Sequence, residues 1–220
     1  MRAAVAAEAD RHGRSYTWCD EPDIPANGMN AEPDLPAAVA AIHHDGRTDI
    51  DAALGDFAAA QRRAGRRVRG LLMSYRGDGT SCQSAMVLTD IHTGDQYLVS
   101  QPLGSGSNAC SADPQGFARA SRVLRDALGQ QPDLVICNRF GSLEAGNGGF
   151  TAELLELLTH GIPVLVAVST RHLAAWQRFI GEAPLLDADP AAWSAWFEGV
   201  FGRRVTQGPA PRDATLAGSR

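Results

Sequence analysis

The sequence predicts an α/β protein in which a mainly parallel sheet is sandwiched by helices and interrupted by one β-hairpin. Three observations carry this. Short apolar runs alternate with stretches of helical period from about residue 37 to residue 200, and strands alternating with helices build parallel sheets. One run, DLVICN (133–138), is almost wholly apolar, as a strand covered on both faces must be. Between SAMVLTDI and DQYLVS stands HTGD, a tight-turn signal that marks a hairpin.

The elements follow in order. AAVAAIHH (37–44) predicts a buried strand. Thr48 then opens an amphipathic helix that runs through Ala64 and stops at Gly65, with Thr48 and Asp51 at capping-box spacing. VRGLLMSY (68–75) predicts a second strand, and the hairpin comes next. QPLGSGSNACS is a Gly/Ser loop. Asp113 caps a helix to Leu128, with Pro114 in its first turn. After DLVICN and the loop RFGSLEAGNGG, a helix is expected over 150–159 and a strand over IPVLVAV (162–168). A helix over 171–180 and a last helix from Asp189-Pro190 complete the pattern. Residues 1–35 form a Pro-rich extension without strand or helix period, 36–201 a single α/β domain, and 202–220 a polar tail expected to be flexible.

Composition excludes several functions. All twenty Lys+Arg positions are arginine, which removes Schiff-base chemistry, pyridoxal phosphate attachment and the P-loop lysine. The net charge is −5 with no basic block, so the electrostatic footprint of a nucleic-acid binder is missing. No apolar run reaches the ~18 residues that span a membrane. The N-terminal apolar run is broken by Glu8 and Asp10, which makes a poor signal peptide. The four cysteines, Cys19, Cys82, Cys110 and Cys137, are far apart with no CxxC. A zinc ribbon and a disulfide scaffold are therefore not expected, and a cytoplasmic protein with reduced thiols is.

In a parallel α/β sheet, ligands bind beyond the carboxyl ends of the strands. Three loops qualify. The first, AIHHDGRT (41–48), follows a strand and precedes a helix, like the P-loop pattern G-x-x-x-x-G-K-[ST]. Gly46 and Thr48 match it, Arg47 stands for the lysine and Ala41 for the first glycine. A helix N-terminus offers N–H groups to an anion, and Arg47 can hold an oxyanion through two donors. An ordinary strand-to-helix turn has the same spacing. The second, the Gly/Ser loop, offers Ser105, Ser107 and Asn108 as further donors. The third, 139–149, begins at Arg139, directly after Asn138 at the strand end. His43, His44, Cys82 and Cys110 are candidate soft-metal ligands, and Cys110 precedes a helix whose dipole lowers a thiol pKa. Cys137 reads as inert core. Glu153 and Glu156, three apart on one helix, read as a solvated face, and Trp193 and Trp196 as the packing face of the last helix or an oligomer contact.

DLVICNRFGSLEAGNGGF resembles the Walker B region of the thermophilic-type nucleoside-triphosphatases, and VLTDIHTGDQYLVSQ resembles their strand–turn–strand insertion. With Asn138-Arg139-Phe140-Gly141 and Glu144, the chain over about 37–200 resembles a bacterial family of unknown function. That family is related in fold to these enzymes and is often associated with molybdenum-uptake genes. The resemblance implies a P-loop-NTPase-like fold. It also sets Asn138 where the Walker B Asp stands and Arg139 where the catalytic Glu stands. Arginine cannot act as a general base, and with the lysine absent too, hydrolysis loses its usual parts. The expectation is a non-hydrolytic protein binding a small oxyanion, molybdate or tungstate by the family link, through Gly46, Arg47, Thr48, Ser105, Ser107, Asn108, Asn138 and Arg139. It would serve intracellular handling or sensing and form a homo-oligomer, with neither nucleic acid nor membrane as partner. The alternatives are a Mg-nucleotide-binding protein with slow hydrolysis or phosphotransfer, and a ligand-free dimeric scaffold.

Overall fold

The computed structural model describes residues 38–76, 85–102 and 110–207. The chain order is β1 (Val39–His44), α1 (Ile50–Arg63), β2 (Val68–Arg76), β3 (Ala85–Asp90) and β4 (Gln96–Leu98), followed by β5 (Ser100–Pro102) and β6 (Cys110–Ala112). Next come α2 (Pro114–Gln130), β7 (Leu134–Phe140), α3 (Ser142–Ala145), α4 (Thr151–Thr159) and β8 (Val164–Ser169). A 3-10 turn over Thr170–His172 leads into α5 (Leu173–Ile180), β9 (Leu185–Leu186) and α6 (Pro190–Gln207).

A seven-stranded sheet has the order β4-β3-β2-β7-β8-β1-β9. The strands β2, β7, β8, β1 and β9 run parallel to one another, whereas β3 is antiparallel to β2 and forms the expected antiparallel hairpin with β4. Alternation along the central strands divides the core in two. Val39, Ala41, Val135, Cys137, Val164 and Val166 face α2, α4 and α5, which contribute Leu124, Leu154 and Trp176. Ala40, Ile42, Leu134, Ile136 and Leu165 face α1 and α6, which contribute Leu54, Phe57, Trp193 and Phe197. Both faces are dry, which is why DLVICN shows no polar alternation. Trp193 is fully buried and meets Phe57 edge-on with ring centroids 5.8 Å apart.

Several local expectations shift. Asp49, not Thr48, caps α1, its carboxylate accepting from Ala52 N at 3.1 Å. Starting at Ile50 sets Ile50, Leu54, Phe57 and Ala58 against the sheet, so packing selects this frame over the capping-box frame. The stretch read as one Gly/Ser loop is bounded by a short ladder, Ser100–Pro102 against Cys110–Ala112. Asp113 caps α2 as expected, accepting from Gln115 N. Strand β7 continues through Arg139 and Phe140, and the loop after it contains α3. Glu153 is not solvated: it is buried beneath Arg125, 2.7 Å away, in a bridge from α4 to α2. Helix α6 runs to Gln207, so the expected boundary at 201 falls within it. Among the described residues no helix is long and apolar enough to cross a membrane.

Candidate functional site

Strand β1 connects through α1 on one face of the sheet, while its neighbour β8 connects through α5 on the other. The crevice beyond their carboxyl ends is a topological switch point, where open α/β sheets bind ligands. His43, His44 and the loop 45–49 lie there, beside the end of β7.

The P-loop-like stretch folds differently from its pattern. Ala41 to His44 are strand residues, paired in register with Val166 to Ser169, so the turn itself spans only 45–49. Gly46 sits at φ +85, the left-handed region that glycine enters without strain. Asp45 folds back on this turn: Oδ1 accepts from Arg47 N at 3.0 Å and Oδ2 lies 3.3 Å from Arg47 Nε. Those contacts, led by the Arg47 N–H, hold the Asp45 carboxyl below its ordinary range. The Arg47 side chain is 90% exposed. His43 Nε2 and Thr170 Oγ1, 2.9 Å apart, tie the ends of β1 and β8 together.

The end of β7 carries an irregularity that decides the site. Its register with β8 shifts between Cys137 and Arg139, a β-bulge, in which two residues of one strand oppose a single position of the next. In a regular strand, neighbouring side chains point to opposite faces. Here Asn138 and Arg139 both reach α1. Asn138 Nδ2 donates to Asp51 Oδ1 at 2.9 Å, and Arg139 Nη2 donates to Asp51 Oδ2 at 2.6 Å. Burial works against the Arg139 charge, but the hydrogen bond and negative charge of Asp51 outweigh it and hold the guanidinium more firmly protonated than usual. Beyond the bulge Phe140 returns to the opposite face, against Trp176 and Phe179.

Three buried atoms in this corner have no hydrogen-bond partner: His44 Nδ1, Asn138 Oδ1 and Arg139 Nε. Asn138 is 2% exposed and His44 6%. Burial, helped by the nearby Arg139 charge, pushes the His44 imidazole below its ordinary value. Native proteins leave few buried polar atoms unpaired, and each such atom calls for an explanation.

Glu144 fixes the chain as it leaves β7. It is buried, and its two oxygens accept from Gly141 N at 2.9 Å and Phe150 N at 3.1 Å. A Cβ at Gly149 would stand 2.0 Å from Glu144 Oε1, so the clamp closes only over glycine.

Of the sequence-predicted residues, the structure gathers Gly46, Arg47, Thr48, Asn138, Arg139, His43 and His44 at the carboxyl end of the sheet. Ser105, Ser107, Asn108 and Cys82 lie outside the described residues. Cys110 opens β6, its backbone paired with Pro102. The sequence offers Asp51 only as half of a capping box, and its spacing from Thr48 gives no sign of what it holds. The described residues contain no group of three or more His, Cys, Asp or Glu placed to hold a metal ion. At the position that the resemblance gives to the Walker B Asp stands Asn138, a neutral amide, and the Asp51 carboxylate beside it already accepts from Asn138 and Arg139, so the pair offers a magnesium ion no free carboxylate. Two concavities lie elsewhere, about 680 Å³ beside α5 and β9 and about 530 Å³ beside the hairpin and α2.

Comparison with known proteins agrees with this architecture. A human cancer-related nucleoside triphosphatase solved in solution superposes with a TM-score of 0.54 at 12% identity, covering 79% of this chain and 98% of that one. THEP1 from the hyperthermophile Aquifex aeolicus aligns over 74% of this chain and 94% of its own, at 15% identity and a TM-score of 0.46. The first likeness establishes a nucleoside-triphosphatase-like fold. In sequence, the chain is 40% identical over 146 residues to the "Molybdenum import ATP-binding protein ModC 2" of Bradyrhizobium diazoefficiens. That match takes in 66% of this chain but only 16% of the relative, so the chain spans about a sixth of that protein. Residues 39–196 match the family described as "Protein of unknown function (DUF2478)", and the chain belongs to that family.

Proposed function

We propose that the protein is a non-hydrolytic member of the NTPase-like folds that binds a small oxyanion for intracellular handling or sensing in molybdenum uptake. The observation that carries this reading is the buried, unpartnered Nε of Arg139 at the switch point. Asp51 holds that guanidinium through Nη2 and leaves the Nε–H without a protein partner. Gly46 and Thr48 lie in the turn beside it, and the exposed Arg47 would supply a second charge on exchanging Asp45 for the anion. Molybdate and tungstate come first because the relative with 40% identity is a molybdenum import ATP-binding protein. The non-hydrolytic assignment rests on the absent lysine, on Arg139 at the catalytic-base position, and on the prior engagement of Asp51.

Isothermal titration with molybdate, tungstate, ATP and GTP, each nucleotide with and without magnesium, tests this. Oxyanion binding weakened roughly tenfold by Arg47→Ala supports it, that factor being the loss of one charge-assisted contact of about 1.5 kcal/mol. Arg47 is exposed, so its loss leaves the fold intact. Tight nucleotide binding without oxyanion binding would favour the second reading, a nucleotide-binding domain, which the fold and the relative's name support.

A further inference from the structure

We propose that the end of the domain opposite the crevice is a docking surface for a short acidic segment of a partner protein, one that also carries an aliphatic side chain. The surface shares no residue with the oxyanion site and is independent of that reading.

Chain direction builds this surface. Helices α1 and α6 both start near the carboxyl ends of the strands and run back towards the amino ends. The end of α1 and the turn after it deliver Arg62, Arg63, Arg66 and Arg67 there, and the last turns of α6 add Arg203 and Arg204 from the far end of the domain. Contacts tie the two groups together. Arg66 Nη2 lies 3.2 Å from Glu198 Oε2 of α6, and its guanidinium carbon stands 3.7 Å from the Phe201 ring centroid. Arg204 Nη1 donates to Pro132 O at 2.9 Å, next to Asp133, which Arg67 holds.

The charges do not cancel. Six guanidinium groups meet two carboxylates, Asp133 and Glu198. The other acidic groups on the neighbouring elements are engaged elsewhere or set back. Asp90 accepts from His92 N and the Thr93 hydroxyl, Asp95 lies 2.9 Å from that hydroxyl, Asp126 pairs with Arg122, and Asp56 stands further back on α1. Arg62, Arg63 and Arg203 are exposed, and the Arg67 side chain is 56% exposed. Burial and the neighbouring Arg67 charge hold the Arg204 guanidinium below its ordinary value in spite of Asp133, as follows where cations outnumber anions.

The same arginines show which anion suits them. Arg67 meets both oxygens of Asp133, through Nη2 at 3.0 Å and Nε at 3.5 Å, and Arg66 Nη2 reaches both oxygens of Glu198 at 3.2 and 3.4 Å. Guanidinium forks match carboxylates, and exposed ion pairs give up one partner for another at little cost. Val205 is 65% exposed and follows Phe201 by four positions, so it stands on the same flank of α6. An aliphatic side chain of the partner would cover it. The chain as a whole carries −5. A long polyanion, such as duplex nucleic acid or an anionic membrane, would overrun the basic face and meet the acidic remainder. A short segment avoids that repulsion.

Fluorescence anisotropy with the intact chain tests this, using as probe a labelled peptide of glutamates interspersed with leucines. The peptide should bind, its affinity should fall as salt rises, and its glutamine counterpart should not bind. Arg63→Glu combined with Arg203→Glu should weaken binding at least about tenfold. Arg171→Glu combined with Arg178→Glu makes the same change in net charge at α5, on the other face of the sheet, and should leave binding unchanged. All four side chains are exposed, and matching thermal melts check that the fold is kept. Hydrogen exchange should show peptide-dependent protection at the ends of α1 and α6. Equal weakening by both pairs of substitutions would reduce the effect to net charge and overturn the proposal, as would failure of the peptide to bind at low salt. Tighter binding of a DNA duplex or of phosphatidylglycerol vesicles through the same arginines would overturn it in favour of that partner. None of these outcomes bears on the oxyanion reading, which molybdate titration tests separately.

Discussion

Arg139 Nη2 lies 2.6 Å from Asp51 Oδ2, joining the end of a central strand to the first turn of the helix that follows β1. The neighbouring Asn138 occupies the other oxygen of the same carboxylate. The Asp51 side chain is 13% exposed and that of Arg139 33%, so water compensates little for the loss of either partner.

Asp51→Ala should therefore destabilise the domain by about 2–3 kcal/mol, because it strands a half-buried guanidinium and a buried amide donor. Asp51→Asn keeps an acceptor and should cost less. Urea unfolding midpoints at constant slope measure both, and equal stability of Asp51→Ala and wild type would show that the pair contributes nothing.

Gly149→Ala should loosen the segment after β7. The residue sits at φ +57, and the new methyl would fall on Glu144 Oε1. Breaking the Glu144 clamp together with the left-handed backbone cost should lower stability by about 1–3 kcal/mol. Hydrogen exchange should report faster loss of protection at the Gly141 and Phe150 amides, and unchanged exchange there would refute the clamp.

His44 makes stability depend on pH with a definite sign. Burial lowers its folded-state value below the 6.5 of a free imidazole, so the unfolded chain binds the proton first. Its contribution is complete above 6.5 and is lost as pH falls towards the folded-state value. An NMR titration of the ring should give a midpoint below 6.5. Unfolding free energies at pH 7.5 and 5.5 should differ less in His44→Gln than in wild type.

Cys137 should resist alkylation in the folded protein. It is buried in the apolar core, and burial pushes its thiol well above the ordinary range, so the reactive thiolate is scarce. Iodoacetamide labelling followed by peptide mapping should leave Cys137 unmodified until urea is added.

Turnover of MgATP or MgGTP should be negligible, with phosphate release below roughly 10⁻³ s⁻¹, the range of unassisted NTPases. Release at ordinary enzymatic rates that Thr48→Ala abolishes would show that a hydrolytic centre survives.

Much of the fold was legible because its signals are periodic. Apolar strands, the HTGD turn and the Asp113 cap each follow from local chemistry that packing then reinforces. The failures are elements too short to show a period: β9 has two residues and α3 four. The site was half legible. The turn at Gly46 and the end of β7 could be placed by topology, since ligand loops follow parallel strands. The bulge could not, because Asn138 and Arg139 are ordinary residue types and only pairing with β8 shows that one of them is additional. Asp51 was hidden for the same reason: nothing in its spacing from Thr48 tells that its partners come from nearly ninety positions later, |i−j| being 87 and 88.

The bulge also makes β7 unusual in what it can lose. Val135 and Cys137 face one layer of helices, and Phe140 faces the same layer, although odd and even positions should part company. Asn138 is the surplus residue that reconciles them. Excising it would restore a regular strand with Cys137, Arg139 and Phe140 still on their present sides. Removing Ile136 instead would turn the first half of the strand inside out relative to the second. The middle of this core strand thus holds one position where a deletion keeps the chain in phase, and its cost would fall on the crevice rather than on the fold.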